Sequence, residues 1–164
     1  MKKLAVLAAF LSINAYAEEI TGAFGLILGG TIQTATLKKY GDEPTNYRYW
    51  IKPPKPSEMF QNYSVTVSPT TRAITKIEAW DSPSNCANQL EGLKSALERK
   101  YEIKAEPLNL LIGSAYEIKK NGAKIRIDCN LADQLQISYT SEILQEQQKQ
   151  EEVKKSSEVD TSNL

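Results

Sequence analysis

The sequence predicts an α+β fold: an antiparallel β-sheet of hairpins packed by one main amphipathic helix, with a polar helix at the C-terminal end. Three observations predict it. Asn121-Gly122 separates two alternating segments, Ala115 to Lys120 and Ala123 to Cys129, and this dipeptide is the strongest short hairpin signal. Cys86, Leu90, Leu93, Leu97 and Tyr101 recur at helical spacing, making one apolar stripe that faces a core. Tyr63, Val65 and Val67 alternate ahead of a Ser68-Pro69-Thr70-Thr71 turn, and Ala73 to Trp80 returns as the partner strand.

Taken in order, residues 1–17 have the three parts of an export signal. Lys2 and Lys3 precede the apolar run Leu4 to Ile13, and Ala15-Tyr16-Ala17 supplies a small-x-small cleavage site. The run is shorter than the roughly 20 residues that span a bilayer. Cleavage after Ala17 is expected to release a soluble protein into the periplasm or the cell exterior. No cysteine near that point offers a lipid anchor, and no later segment is apolar enough to be transmembrane. Residues 18–146 are expected to form one α+β domain, and 147–164 a polar, partly disordered tail.

Residues 20–56 are rich in glycine, tyrosine and proline. Phe24 to Leu28 reads as a short strand bracketed by glycines. Thr34 to Tyr40 and Tyr47 to Lys52 can pair as a hairpin across Gly41-Asp42-Glu43-Pro44. Pro53, Pro54 and Pro56 then mark an extended connector. Ser82-Pro83 reads as an N-cap followed by proline at the first helical position. The two-residue loop at Asn121-Gly122 fixes a register: Ile118 opposite Ile125, Tyr116 opposite Ile127, Glu117 opposite Arg126, Lys119 opposite Lys124. Leu135, Ile137 and Tyr139 continue as a further strand, and Ser141 caps the last helix, which is almost wholly polar from Gln145 to Lys155.

Cys86 lies on the core-facing stripe of the helix, and alternation puts Cys129 on the face of Ile125 and Ile127. Both sulfurs therefore point inward, and with an export signal upstream the pair reads as a disulfide.

The full chain balances 20 basic against 20 acidic residues. Losing Lys2 and Lys3 leaves the exported form slightly acidic, so net charge gives no support to a nucleic-acid role. The chain contains no histidine. That excludes Ser-His-Asp, Cys-His and histidine-ligated zinc chemistry. No dinucleotide fingerprint, phosphate loop or S-x-x-K motif is present, and no cofactor or metal is expected.

Two surfaces are candidates for binding. Arg48, Tyr49 and Trp50 belong to a group with the aromatic Tyr40 and Tyr47, and Trp50 between two cations suits a sugar or a protein partner; the bland and more common alternative is ordinary core. Lys119, Lys120, Lys124 and Arg126 surround the Asn-Gly hairpin and suit an anionic partner; the bland alternative is a solvated tip. The functional expectation is an exported, non-enzymatic binding or inhibitor-type protein with a protein or glycan partner in the envelope. An envelope assembly factor acting through the C-terminal helix is the first alternative. A carboxylate hydrolase of cell-wall sugars, drawing on Glu78, Asp81, Glu117 or Asp128, is the second.

Overall fold

The computed structural model describes residues 18–41, 47–110 and 113–159. Residues 1–17, where an export signal is expected, residues 42–46 of the first expected turn and residues 160–164 of the expected tail lie outside the described residues. Gly22–Ala23 (β1) and Leu26–Ile27 (β2) form a small hairpin. Arg48–Trp50 (β3), Asn62–Val67 (β4), Ile74–Asp81 (β5), Glu106–Pro107 (β6), Ser114–Lys120 (β7), Ala123–Cys129 (β8) and Leu135–Ser141 (β9) form one antiparallel sheet in the order β3-β4-β5-β9-β8-β7-β6. The helix Cys86–Tyr101 (α1) intervenes between β5 and β6, and Glu142–Val159 (α2) follows β9. This is the α+β architecture expected from the pattern.

One face of the sheet carries the core. Tyr49, Tyr63, Val65, Ile77, Ala79, Ile118, Ile125, Ile127, Leu135, Ile137 and Tyr139 are buried there with Cys86, Leu90, Leu97 and Tyr101 of α1. The Asn-Gly hairpin has the expected register at every pair named above. Asn121 and Gly122 both have positive φ, 50° and 76°, as a two-residue type I′ loop requires. The Cys86–Cys129 disulfide is formed, with Cα atoms 5.9 Å apart, and locks α1 across β8. Tyr116 donates a 2.6 Å hydrogen bond to Glu91 and ties β7 to the same helix. Lys94 first, and Tyr116 second, hold the Glu91 carboxyl below the usual carboxylate range.

Two elements differ from expectation. The helix begins at Cys86 rather than beside Pro83, because Asn85 is the cap: its side chain accepts from the Asn88 N–H at 3.2 Å. The Ser82 N–H is instead taken by Asp81 Oδ1 at 2.8 Å. Phe24 to Leu28 is not one strand. Phe24 and Gly25 are the turn between β1 and β2, with φ of 58° and 78°. Positive φ is rare for a bulky side chain. Packing outweighs that strain: the Phe24 ring lies edge-on to Tyr63, Phe60 and Tyr139 at 5.1, 6.1 and 6.1 Å, and Lys55 N–H donates to the Phe24 carbonyl at 3.0 Å. The turn thus serves as a wedge into the core.

The pairing of 34–40 with 47–52 is present as a Lys39–Tyr49 bridge, with the Trp50 N–H donating to the Lys38 carbonyl and the Tyr40 N–H to the Arg48 carbonyl. At the other end, Ser141 Oγ accepts from the Leu144 N–H, and the Glu142 N–H donates to the Gly122 carbonyl. The α2 helix runs to Val159.

A Cβ at Gly122 would stand 2.6 Å from Ile143 Cδ1. Gly122→Ala is expected to cost about 1–2 kcal/mol from the left-handed backbone alone and to loosen the first turn of α2. Urea unfolding checks the first, and amide exchange at Leu144 the second.

Burial, together with a hydrogen bond to Tyr101, pushes the Tyr139 hydroxyl well above its ordinary value. A group whose native pKa is raised contributes stability below its unfolded pKa and loses it as pH rises towards the native one. Stability is therefore expected to fall above pH ~10, with one tyrosine failing to ionise until the domain unfolds. Tyrosinate absorbance followed beside circular dichroism checks this, and Tyr139→Phe should remove the delayed step.

Candidate functional site

The second face of the sheet has none of the core cluster's strand residues. Its side chains form rows across the strands. One row reads Arg48, Thr66, Lys76, Thr140, Lys124, Lys119. The next reads Trp50, Ser64, Glu78, Ser138, Arg126, Glu117. A third holds Asn62, Trp80, Gln136 and Asp128. Strict alternation in β5 produces the pattern: Ile77 and Ala79 go to the core, while Lys76, Glu78 and Trp80 go to this face.

Glu78 is the centre of the face and is 3% exposed. Its carboxylate pairs with Arg48 Nε at 2.9 Å and Lys76 Nζ at 2.7 Å. Gln136 Nε2 donates to Oε1 at 3.2 Å, and Ser64 Oγ donates to Oε2 at 3.4 Å. A buried carboxylate is tolerated when its acceptor sites are filled in this way. Above Arg48, Tyr40, Trp50 and Trp80 form a cluster with ring centroids 4.8, 5.2 and 5.8 Å apart. The guanidinium carbon lies 3.9 Å from the Tyr40 ring centre and 5.2 Å from that of Trp80, within cation–π range.

At the opposite end of the same rows, Glu117 accepts from Lys119 at 2.7 Å and lies 3.9 Å from Lys124. Lys124 also reaches Glu142 at 3.4 Å, and Arg126 pairs with Asp128 at 3.2 Å. The hydrogen bond to Glu117 holds Lys119 protonated above the usual lysine range. It also answers the like-charge opposition of Lys119 and Lys124, because one carboxylate sits against both.

Arg48, Trp50, Lys119, Lys124 and Arg126 therefore share one face. Tyr49 and Lys120 do not. Tyr49 is a core residue on the opposite face, 5% exposed. Lys120 Nζ reaches the Glu18 carbonyl at 3.0 Å and Glu19 at 3.8 Å, which ties the Asn-Gly turn to the start of the described chain. Trp50 is neither ordinary core nor an isolated platform; it is half-buried in the aromatic cluster beside Arg48. Tyr40, Lys76, Glu78 and Trp80 complete the constellation. Sequence reasoning grouped Tyr40 with Trp50 but did not join Lys76, Glu78 and Trp80 to them, although the alternation in β5 signals all three.

Glu78, Glu117 and Asp128 each act as acceptors in ion pairs on this face, and Asp81 caps the Ser82 N–H. Among the described residues no cluster of cysteine and carboxylate side chains could hold a metal ion, and no helix is long and apolar enough to cross a membrane.

Fold and site together define a disulfide-braced α+β protein with a polar sheet face laced by ion pairs. Comparison with known protein families, curated proteins and solved structures finds no match to this chain.

Proposed function

We propose that this chain is an exported, non-catalytic binding protein of the periplasm or cell exterior, released by cleavage after Ala17, and that the polar sheet face is its recognition surface. One observation carries the reading: the two candidate surfaces, some 70 residues apart in sequence, are opposite ends of the same two rows. Their side chains are held in place by ion pairs, so little rotamer freedom is lost when a partner docks. The Cys86–Cys129 disulfide suits an oxidising compartment.

The test is a cross-linked pull-down of the tagged, exported protein from its native envelope, beside Trp50→Ala and Lys124→Glu. A partner captured by the parent and at least tenfold weaker with either variant supports the face as the recognition surface. Capture unchanged by both substitutions refutes it. A form truncated after Glu146, run in the same experiment, tests an assembly role for α2. N-terminal sequencing of the exported protein should begin Glu18-Glu19-Ile20.

A further inference from the structure

The structure assigns Asn121 as a site of self-modification. When Glu18 and Glu19 lift off the Asn121-Gly122 turn, the Asn121 amide converts to a carboxylate, and that carboxylate keeps them from returning. The turn is a one-way latch, and it stands apart from the recognition surface proposed above.

The chemistry needs only these two residues and water. The Gly122 backbone nitrogen attacks Asn121 Cγ, and glycine, having no Cβ, leaves that nitrogen open to approach. As the N–Cγ bond forms, the Cγ–Nδ2 bond breaks, and the amide nitrogen departs as ammonia with the proton lost by Gly122. Water then opens the resulting succinimide ring. Addition at Cγ yields aspartate. Addition at the Asn121 main-chain carbonyl yields isoaspartate, whose backbone runs through the side-chain methylene.

The closed turn holds this reaction back. Asn121 is exposed, and its φ of 50° is followed by 76° at Gly122, as in a type I′ loop. Such a loop sets ψ at its first position near about 30°, which turns the Gly122 nitrogen away from the Asn121 side chain. Ring closure requires ψ to swing until the two lie on the same side of the Cα–C bond. Contacts from outside the hairpin oppose that swing. Asn121 Nδ2 donates to Glu19 Oε2 at 2.8 Å. Lys120 Nζ donates to the Glu18 carbonyl at 3.0 Å and lies 3.8 Å from the Glu19 carboxylate, and the Gly122 carbonyl accepts from the Glu142 N–H at 2.9 Å. Glu18 and Glu19 are exposed and precede Ile20, the first buried residue among those described. They therefore open at far lower cost than the core behind them.

Reaction makes the opening permanent. A carboxylate at position 121 has no N–H to give Glu19, and two like charges at hydrogen-bond distance repel. Isoaspartate also adds a methylene to a two-residue loop.

The experiment follows deamidation at Asn121 by peptide mapping in the purified protein at mildly alkaline pH, beside the same protein unfolded in urea. The unfolded chain should react fastest. Glu19→Ala should react about fivefold faster than the parent, the population that one ordinary hydrogen bond holds closed. Glu19→Gln keeps an acceptor oxygen and should match the parent. Asn121→Asp supplies the product directly. It should speed amide exchange about fivefold at Thr21, whose N–H donates to the Glu19 carbonyl at 3.0 Å, and leave Ile127 of β8 unchanged. Adding Glu19→Gln to Asn121→Asp should restore Thr21 protection. Equal deamidation in the parent and Glu19→Ala, or in folded and unfolded protein, overturns the inference. So does Asn121→Asp with Thr21 exchange unchanged. Faster exchange at Ile127 in Glu19→Ala would trace its deamidation to global unfolding and overturn the inference as well.

Discussion

Replacing Cys86 and Cys129 together by alanine is expected to cost the domain about 4 kcal/mol, the chain-entropy value for closing a loop of this length. The sequence separation of 43 residues enters that value directly. Domains of this size hold only about 5–15 kcal/mol in total, so the melting temperature should fall by roughly 8–16 °C. The loss should appear mainly at one place. Cys86 opens α1 and Cys129 ends β8, so the bridge holds the beginning of the helix against the sheet. Leu90, one turn along, is 1% exposed and depends on that approach. Chemical unfolding of the double variant measures the cost, and amide exchange in α1 locates it. Thiol titration of the unreduced, unfolded protein should find no free thiol; two would refute the bracing role outright.

That bridge is legible in the sequence because two independent periodicities converge on it. Helical spacing puts Cys86 on an inward stripe, and the Asn-Gly loop sets the parity of β8 and thereby the direction of Cys129. A two-residue loop leaves no slack, which is why every pair expected for β7 and β8 is found. The start of α1 is less legible. Ser82-Pro83 and Asn85 are both acceptable start signals, and tertiary structure chooses between them, since Cys86 must sit in the first turn facing β8. The Phe24-Gly25 turn is illegible for a different reason. No local rule favours an aromatic residue at positive φ, and only the pocket formed by Phe60, Tyr63 and Tyr139 offsets the strain.

The polar face marks the boundary of what a single sequence reveals. Alternation shows that Arg48 and Trp50 oppose Tyr49, and that Lys119, Lys124 and Arg126 share a side. It cannot show that the two groups share a face, because that depends on β5 pairing with β9. That contact joins strands separated by α1 and the entire Asn-Gly hairpin, and no loop length or turn residue encodes it. With that pairing in place, Glu78 and Lys76 become the link between two surfaces that look unrelated along the chain. The same long-range contact makes Glu78 the residue that ties the two ends of the face together.

Glu78→Ala should accordingly be the most damaging single substitution on that face. It leaves Arg48 and Lys76 without their shared carboxylate, and Ser64 and Gln136 without an acceptor, in a buried setting. Removing one partner of a fully buried pair costs about 3–5 kcal/mol. Here both cations retain some exposure, 24 and 32% of their side chains, so solvent recovers part of that and the expected loss is about 2–3 kcal/mol. Lys76→Met should cost only about 1 kcal/mol, since Arg48 still neutralises the carboxylate and the lost group was partly solvated. In the double variant Glu78→Leu with Lys76→Met, fewer charges are left stranded, and the penalty should fall below that of Glu78→Ala alone. A double-mutant cycle by urea unfolding measures the coupling. If Glu78→Ala costs less than about 0.5 kcal/mol, the range of an ordinary surface substitution, the carboxylate is not the keystone of the face, and the cations must owe their positions to the aromatic cluster and Glu117 instead.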